Sequence, residues 1–224
     1  MSGSATPPTP DIESLFDALF SDASELIDAH YFASSMRDIF FQSDEIDGLI
    51  DNRILNAVTL KHAITSFYII AGRLMDDDNK SYSLGHAVKM LREHKPSQSY
   101  LNTLLNIAES ATVNDEGKKF EMLLQRWERT ATIARDKFEQ LKKDYKPIML
   151  CRHNYFAHKG RKTHDQSLNH YPTPSHADKF VKDLISVLNM LSGLFRNATY
   201  AFNNNLGKMA ADRLIYLQFS TGRQ

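Results

Sequence analysis

The chain has 224 residues, 42% hydrophobic and 24% charged, with 27 Lys and Arg set against 27 Asp and Glu, which fits one soluble globular domain plus an appended terminus. A single cysteine, Cys151, excludes an internal disulfide and any multi-thiolate zinc site, while the neutral total excludes no ligand class, because it can hide a basic groove. No apolar run reaches the roughly 18 residues of a membrane helix, and the first residues lack the basic start and apolar centre of a secretion signal, so a cytoplasmic protein with no membrane association is expected.

Residues 1–10 are small, polar and proline-rich and read as a disordered start. Thr9 and Pro10 read as a helix cap and first helical position. From there to about Phe41, Ile12, Leu15, Phe16, Leu19, Phe20, Leu26, Ile27, Met36, Ile39 and Phe40 recur at helical spacing, with Ser21-Asp22-Ala23-Ser24 as a candidate interruption. A second long helix is expected from about Asp44 to Met75, its apolar residues, among them Ala57, Val58, Ile64, Phe67, Tyr68, Ala71 and Leu74, forming one stripe. Asp76-Asp77-Asp78-Asn79 reads as a solvated turn in preference to a metal site.

Ser81 or Ser83 can cap a short helix ending before Pro96, and Ser97 can open another that turns Tyr100, Leu101, Leu104, Leu105 and Ala108 inward. Asn114-Asp115-Glu116-Gly117 has turn chemistry, and a third long helix follows to about Tyr145 with Trp127, Ala131, Ala134, Phe138 and Leu141 inward. Pro147 marks a restart. Residues 160–174 read as a loop, and Ser175 or His176 opens a last long helix to about Asn204. For Leu214 to Phe219, helix and strand cannot be told apart. Long helices with short connections and no alternating patterns elsewhere predict an all-α antiparallel bundle over 11–205, with 206–224 as a C-terminal tail.

The chemistry gathers in Cys151-Arg152-His153-Asn154-Tyr155-Phe156-Ala157-His158-Lys159-Gly160. Arg152 is a permanent cation whose planar fork fits phosphate oxygens. His153 and His158 suit proton transfer near neutral pH, and Asn154 can orient a histidine. RNA carries its own nucleophile, the 2′-hydroxyl beside the scissile phosphate. Its cleavage needs a base, an acid and a cation, all of which this stretch contains, and needs neither metal nor cofactor. On one helix Arg152 and His158 lie roughly 120° apart, which favours two copies of the stretch converging about a two-fold axis.

Blander readings stand beside these. His153 can be catalytic or a structural hydrogen-bonder, and Asn154 reads as an orienting group. Tyr155, Phe156 and Cys151 read as packing. Lys159 and Arg161 can hold RNA phosphates or form an exposed basic loop. The six-residue recurrence of His158, His164, His170 and His176 is too loosely spaced for zinc. Arg152 can also pair with an acid such as Asp144 or Asp183 in a purely structural role.

An all-helical chain with Arg152-His153-Asn154-Tyr155-Phe156-Ala157-His158 late in its length resembles the HEPN (higher eukaryotes and prokaryotes nucleotide-binding) superfamily. That motif is arginine, four to six residues, then histidine, with a polar residue after the arginine; His153 fills that slot here. Ile70-Ala71-Gly72-Arg73-Leu74-Met75-Asp76, Ser81-Tyr82-Ser83-Leu84 and Tyr155-Phe156-Ala157-His158 are similar to the HEPN-like branch of bacterial abortive-infection systems. The resemblance covers roughly Asp44 to Asn204. It implies a metal-independent endoribonuclease whose two motif copies meet in a homodimer, with Arg152, His153 and His158 as catalytic residues and RNA as substrate. The setting it implies is phage defence or a toxin–antitoxin pair, with a cognate antitoxin or a nucleotidyltransferase as candidate partner. The alternative is an inactive HEPN-like module that binds RNA, a nucleotide or a partner protein.

Overall fold

The computed structural model describes residues 12–42, 53–77, 81–93, 116–151, 173–196, 199–202 and 206–213. Its helices are α1 (Ile12–Gln42), α2 (Arg53–Leu74), α3 (Leu84–Glu93), α4 (Glu116–Asp144), α5 (Lys146–Cys151) and α6 (Pro174–Arg196), with a short α7 over 206–213. The regular structure of the described residues is entirely helical, as the periodicity predicts. None of the described helices is long and apolar enough to cross a membrane. The helix expected from Ser97 and the segment Leu214 to Phe219 lie outside the described residues, as do Thr9, Pro10 and the start expected for α2 at Asp44.

α6 is the centre of the packing. It touches α1, α3 and α4, while α2 lies against α1 and α5. Phe180, Leu184, Val187, Leu188, Leu191 and Leu194 of α6 are all buried, each worth roughly 1.5–3 kcal/mol of transfer free energy. Polar contacts fix the directions. Arg196 reaches Glu13 and Asp17 at 3.0 Å each, whereas His30 meets Asp178 at 3.3 Å, so α1 and α6 are antiparallel. Arg73 gives Nε and Nη2 to the carboxylate of Asp22 at 2.6 and 2.5 Å, and the rings of Phe67 and His30 lie 5.6 Å apart, so α2 is antiparallel to α1. Trp127 Nε1 donates to the Leu194 carbonyl at 3.4 Å and Tyr145 donates to Asp183 at 2.6 Å, so α4 is antiparallel to α6.

Several boundaries differ from expectation for local reasons. α1 runs unbroken through Ser21–Ser24, because Ala23 is buried in the core and tertiary packing overrides the weak propensity of the flanking serines. α6 opens at Pro174, before Ser175, and ends at Arg196, well short of Asn204. Thr173 is its cap: the His176 amide donates to Thr173 Oγ1 at 3.3 Å, leaving proline at the first helical position, where its missing N–H costs nothing. At the other end the chain turns back, and Asn189 holds the Tyr200 backbone through both its amide N–H and carbonyl, at 2.8 and 3.1 Å. Ser83, rather than Ser81, caps α3, its Oγ accepting from the His86 amide at 3.1 Å.

α2 departs most from its predicted stripe. Phe67, Tyr68, Ala71 and Leu74 are buried, but Ala57, Val58 and Ile64 are exposed, and no residue from 57 to 66 is fully buried. Its apolar residues are spread around the helix, and only its C-terminal half lies deep in the bundle. Of the acidic turn expected after α2, Asp78 and Asn79 lie outside the described residues; Asp77 is exposed and paired, Lys142 reaching its Oδ2 at 2.5 Å. It presses on α3 at Gly85, where a Cβ would sit 2.9 Å from Asp77 Oδ1 and 3.1 Å from Asp77 Cα. A Cβ on Gly193, in α6, would meet nothing within 4 Å.

Those two glycines should therefore respond oppositely to alanine. Gly193→Ala gains helix propensity and should stabilise by about 0.5–1 kcal/mol. Gly85→Ala forces the 76–77 backbone away, an overpacking cost of about 1–3 kcal/mol that outweighs the same gain. Denaturant unfolding of the two variants beside the parent reads the difference in sign.

Candidate active site

Arg152, His153, Asn154, His158, Lys159 and Arg161 all lie outside the described residues, as do Tyr155, Phe156, His164 and His170. What the structure describes is the frame on either side of them. Arg152 follows directly on Cys151, the last residue of α5, and the chain is described again from Thr173, the cap of α6. α5 begins after a single-residue break at Tyr145. The Ile148 and Met149 amides donate to the Tyr145 carbonyl at 2.9 and 3.4 Å, and Pro147 sits in the first turn, where no donor is needed.

Tyr145 fastens this junction to the start of α6. Its hydroxyl donates to Asp183 Oδ2 at 2.6 Å. Its ring lies 4.9 Å from that of His176 and 5.1 Å, edge to face, from that of Phe180. Burial, then the Asp183 carboxylate, raise the phenol above its ordinary value of 10, so it stays a donor. Beyond Phe180 the rings continue to Phe67 at 6.1 Å and from there to His30 at 5.6 Å. α1, α2, α6 and the α4–α5 junction thus meet in one aromatic node. Both acids considered as structural partners of Arg152 have donors of their own here: Asp183 takes Tyr145, and Asp144 takes the Gln140 amide at 2.6 Å. His176, the last of the regularly spaced histidines, is engaged in the ring contact with Tyr145.

The same node holds a titratable cluster that sequence reading missed. His30 is 6% exposed and places Nε2 3.3 Å from Asp178 Oδ1. Asp178 Oδ2 in turn accepts from Lys182 at 2.8 Å. Burial lowers the His30 pKa below its usual 6.5, with Arg37 and Lys182 adding to this and Asp178 opposing it. The hydrogen bond from Lys182, then that from His30, hold the Asp178 carboxyl below its ordinary range against the effect of its own burial. A neutral imidazole beside a carboxylate donates its one N–H from Nε2 and keeps Nδ1 as an acceptor. Beside His30 lies a cavity of about 180 Å³ walled by His30, Ser34 and Arg37 of α1, Ile64 and Phe67 of α2, and Pro174 of α6. His30 and Asp178 are 148 residues apart in the chain, so no spacing rule joins them. The only local signal was the four-residue offset of His30 from Ser34 on one face of α1.

The family model for AbiU2, a HEPN family, matches residues 57–214. The chain belongs to the AbiU2 family of HEPN proteins. No curated protein and no solved structure matches the chain. The protein is thus a HEPN-like abortive-infection module. The AbiU2 match contains most of α2, all of α3 to α7 and the whole of the motif, while α1 precedes it.

Two outcomes test the frame of this AbiU2 protein. Tyr145→Phe keeps the ring contacts but strands a carboxylate, and should cost about 1–2 kcal/mol of stability in urea unfolding. For His30 the folded-state pKa is the lower one, so the unfolded chain binds more protons and stability rises with pH. His30 therefore contributes fully above its usual 6.5, and that contribution drains away as pH falls below it toward the folded value. Thermal melts between about pH 7 and about pH 5 should show a flatter decline for His30→Gln than for the parent.

Proposed function

We propose that the protein is a metal-independent endoribonuclease, with Arg152, His153 and His158 as its catalytic residues and the two motifs of a homodimer sharing one site. The observation that carries this reading is an Arg-x5-His motif inside the AbiU2 match, following directly on Cys151, the last residue of α5. One imidazole takes the proton of the 2′-hydroxyl, whose oxygen attacks the adjacent phosphorus. A second protonates the 5′-oxygen as its bond to phosphorus breaks. The products are a 2′,3′-cyclic phosphate and a 5′-hydroxyl. Arg152 offsets the charge that builds on the phosphoryl oxygens, and Asn154, Lys159 and Arg161 orient the histidines and hold the strand.

The node supports this reading in a further way. A displacement of about 1 Å in reacting groups can cost roughly 10²-fold in rate, and Tyr145 pins the backbone seven residues before Arg152 to a rigid helix. A cognate antitoxin or a nucleotidyltransferase is the candidate partner that would restrain such an activity in the cell.

Purified protein should cleave single-stranded RNA in the presence of a chelator and leave cyclic-phosphate ends. Arg152→Ala and His158→Ala should each slow cleavage by about 100-fold or more, with melting temperatures unchanged. Full activity in both variants removes the enzyme reading. Binding of intact RNA without cleavage by the parent protein leaves the non-catalytic HEPN-like module in its place.

A further inference from the structure

A cavity of about 180 Å³ opens beside the aromatic node. We infer that it receives one unstacked nucleobase of single-stranded RNA, with Arg37 at its rim holding the adjoining phosphate. This deepens the ribonuclease reading and rests on it for the identity of the strand.

Size is the first argument. At about 180 Å³ the cavity falls below the roughly 300–1,000 Å³ of sites that enclose a drug-sized ligand. It suits one planar ring system, with sugar and phosphate left outside. The lining is the second. Phe67 and Tyr68 of α2 line it with aromatic side chains, Ile64 and Leu60 add aliphatic surface, and its polar residues are His30, Ser34 and Arg37 of α1 together with Tyr68. Sequence-tolerant recognition of single strands combines such stacking surfaces with edge hydrogen bonds and a nearby cation. His30, with Nε2 directed at Asp178, has Nδ1 as its acceptor, and the Ser34 hydroxyl both donates and accepts. Together they match the mixed donor and acceptor edge of a base, which a purely aliphatic ligand would leave unsatisfied at a cost.

Charge and position complete the case. Arg37 gives Nε and Nη2 to Asp38 at 3.2 and 2.8 Å, a pair that holds the guanidinium plane while engaging two of its five N–H groups. Pro174, which with Ala177 gives the α6 part of the cavity wall, lies sixteen positions after His158 and next to Thr173, the cap of α6. His30, Ser34 and Arg37 come from α1, which precedes the matched span of 57–214. Base selection would therefore be a property of this chain's own first helix, separate from the shared motif.

The test uses the full chain and 2′-O-methyl RNA, which lacks the attacking hydroxyl and so reads binding whether or not the protein cleaves. Calorimetric titration compares 2′-O-methyl tetranucleotides, the four nucleoside monophosphates and ribose 5-phosphate. The tetranucleotide is expected to bind tightest, and at least one nucleoside monophosphate should exceed ribose 5-phosphate by about tenfold, the scale of stacking one base. Ala33→Phe, which fills the cavity, should erase that preference while helical circular dichroism is unchanged. If Ala33→Phe does not fold, Arg37→Gln at the rim keeps the test open. It should weaken tetranucleotide and ribose 5-phosphate alike and leave the base preference intact. Equal binding of nucleoside monophosphates and ribose 5-phosphate overturns the proposal, as does an unchanged preference in folded Ala33→Phe. A monophosphate as tight as the tetranucleotide would assign the cavity to a free nucleotide and overturn its role in RNA binding. Retained base preference in a protein that never cleaves RNA would sink the catalytic reading alone.

Discussion

The contact on which the architecture turns is the seat of Tyr145 against α6. A tyrosine at the break between α4 and α5 is buried, yet its hydroxyl needs a partner. Asp183, one turn past Phe180 on the same helix, supplies it at 2.6 Å. Because the ring also meets Phe180 and His176, position and orientation are fixed together. Aromatic pairs are worth about 0.5–1.5 kcal/mol each beyond the area they bury, so the chain of rings through Phe180, Phe67 and His30 ties α1, α2, α6 and the α4–α5 junction into one unit. The opposite end of the bundle has rings of its own, Phe16 on Phe195 and Phe20 on Tyr200 and Phe202, and adds Arg196 between Glu13 and Asp17 and over the ring of Tyr200. Those acids are exposed, and exposed pairs contribute little each.

Much of the fold was legible because it rests on periodicity. The inward residues of α6 and α4, from Phe180 to Leu194 and from Ala131 to Leu141, repeat at helical spacing and are buried where that spacing puts them. α2 was less legible for a physical reason. Its apolar residues do not keep to one side, so the sequence marks a helix without marking which side meets the core. Only contact with α1 and α5 decides that Phe67, Ala71 and Leu74 go inward while Val58 and Ile64 stay out. α6 starts one or two residues before Ser175 or His176, because the proline at 174 takes the first helical position and leaves Thr173 before it as the cap.

The candidate site divides along the same line. Arg152 and His158 are six residues apart, so a sequence motif finds them, and their place after α5 follows from Pro147 restarting the helix. His30 and Asp178 come from opposite ends of the chain and become neighbours only because α1 and α6 are antiparallel. No local pattern encodes that pairing. In the sequence His30 stands among ordinary helix residues, and Asp178 looks like a first-turn acid favoured by the helix dipole.

That division bears on how an AbiU2 protein is built. The matched span carries the motif, the junction at Tyr145 and the helix that receives it, all within 57–214. α1 lies before that span, yet it covers one side of α6, pairs with α2 through Asp22 and Arg73, and closes the node with His30. If the arginine and histidine handle the phosphate, their chemistry is indifferent to base identity, since every linkage presents the same oxygens. Discrimination among RNAs then has to come from surface that meets the bases. The cavity beside the node, with His30, Ser34 and Arg37 of α1 facing Phe67 of α2, is the surface we propose for that role.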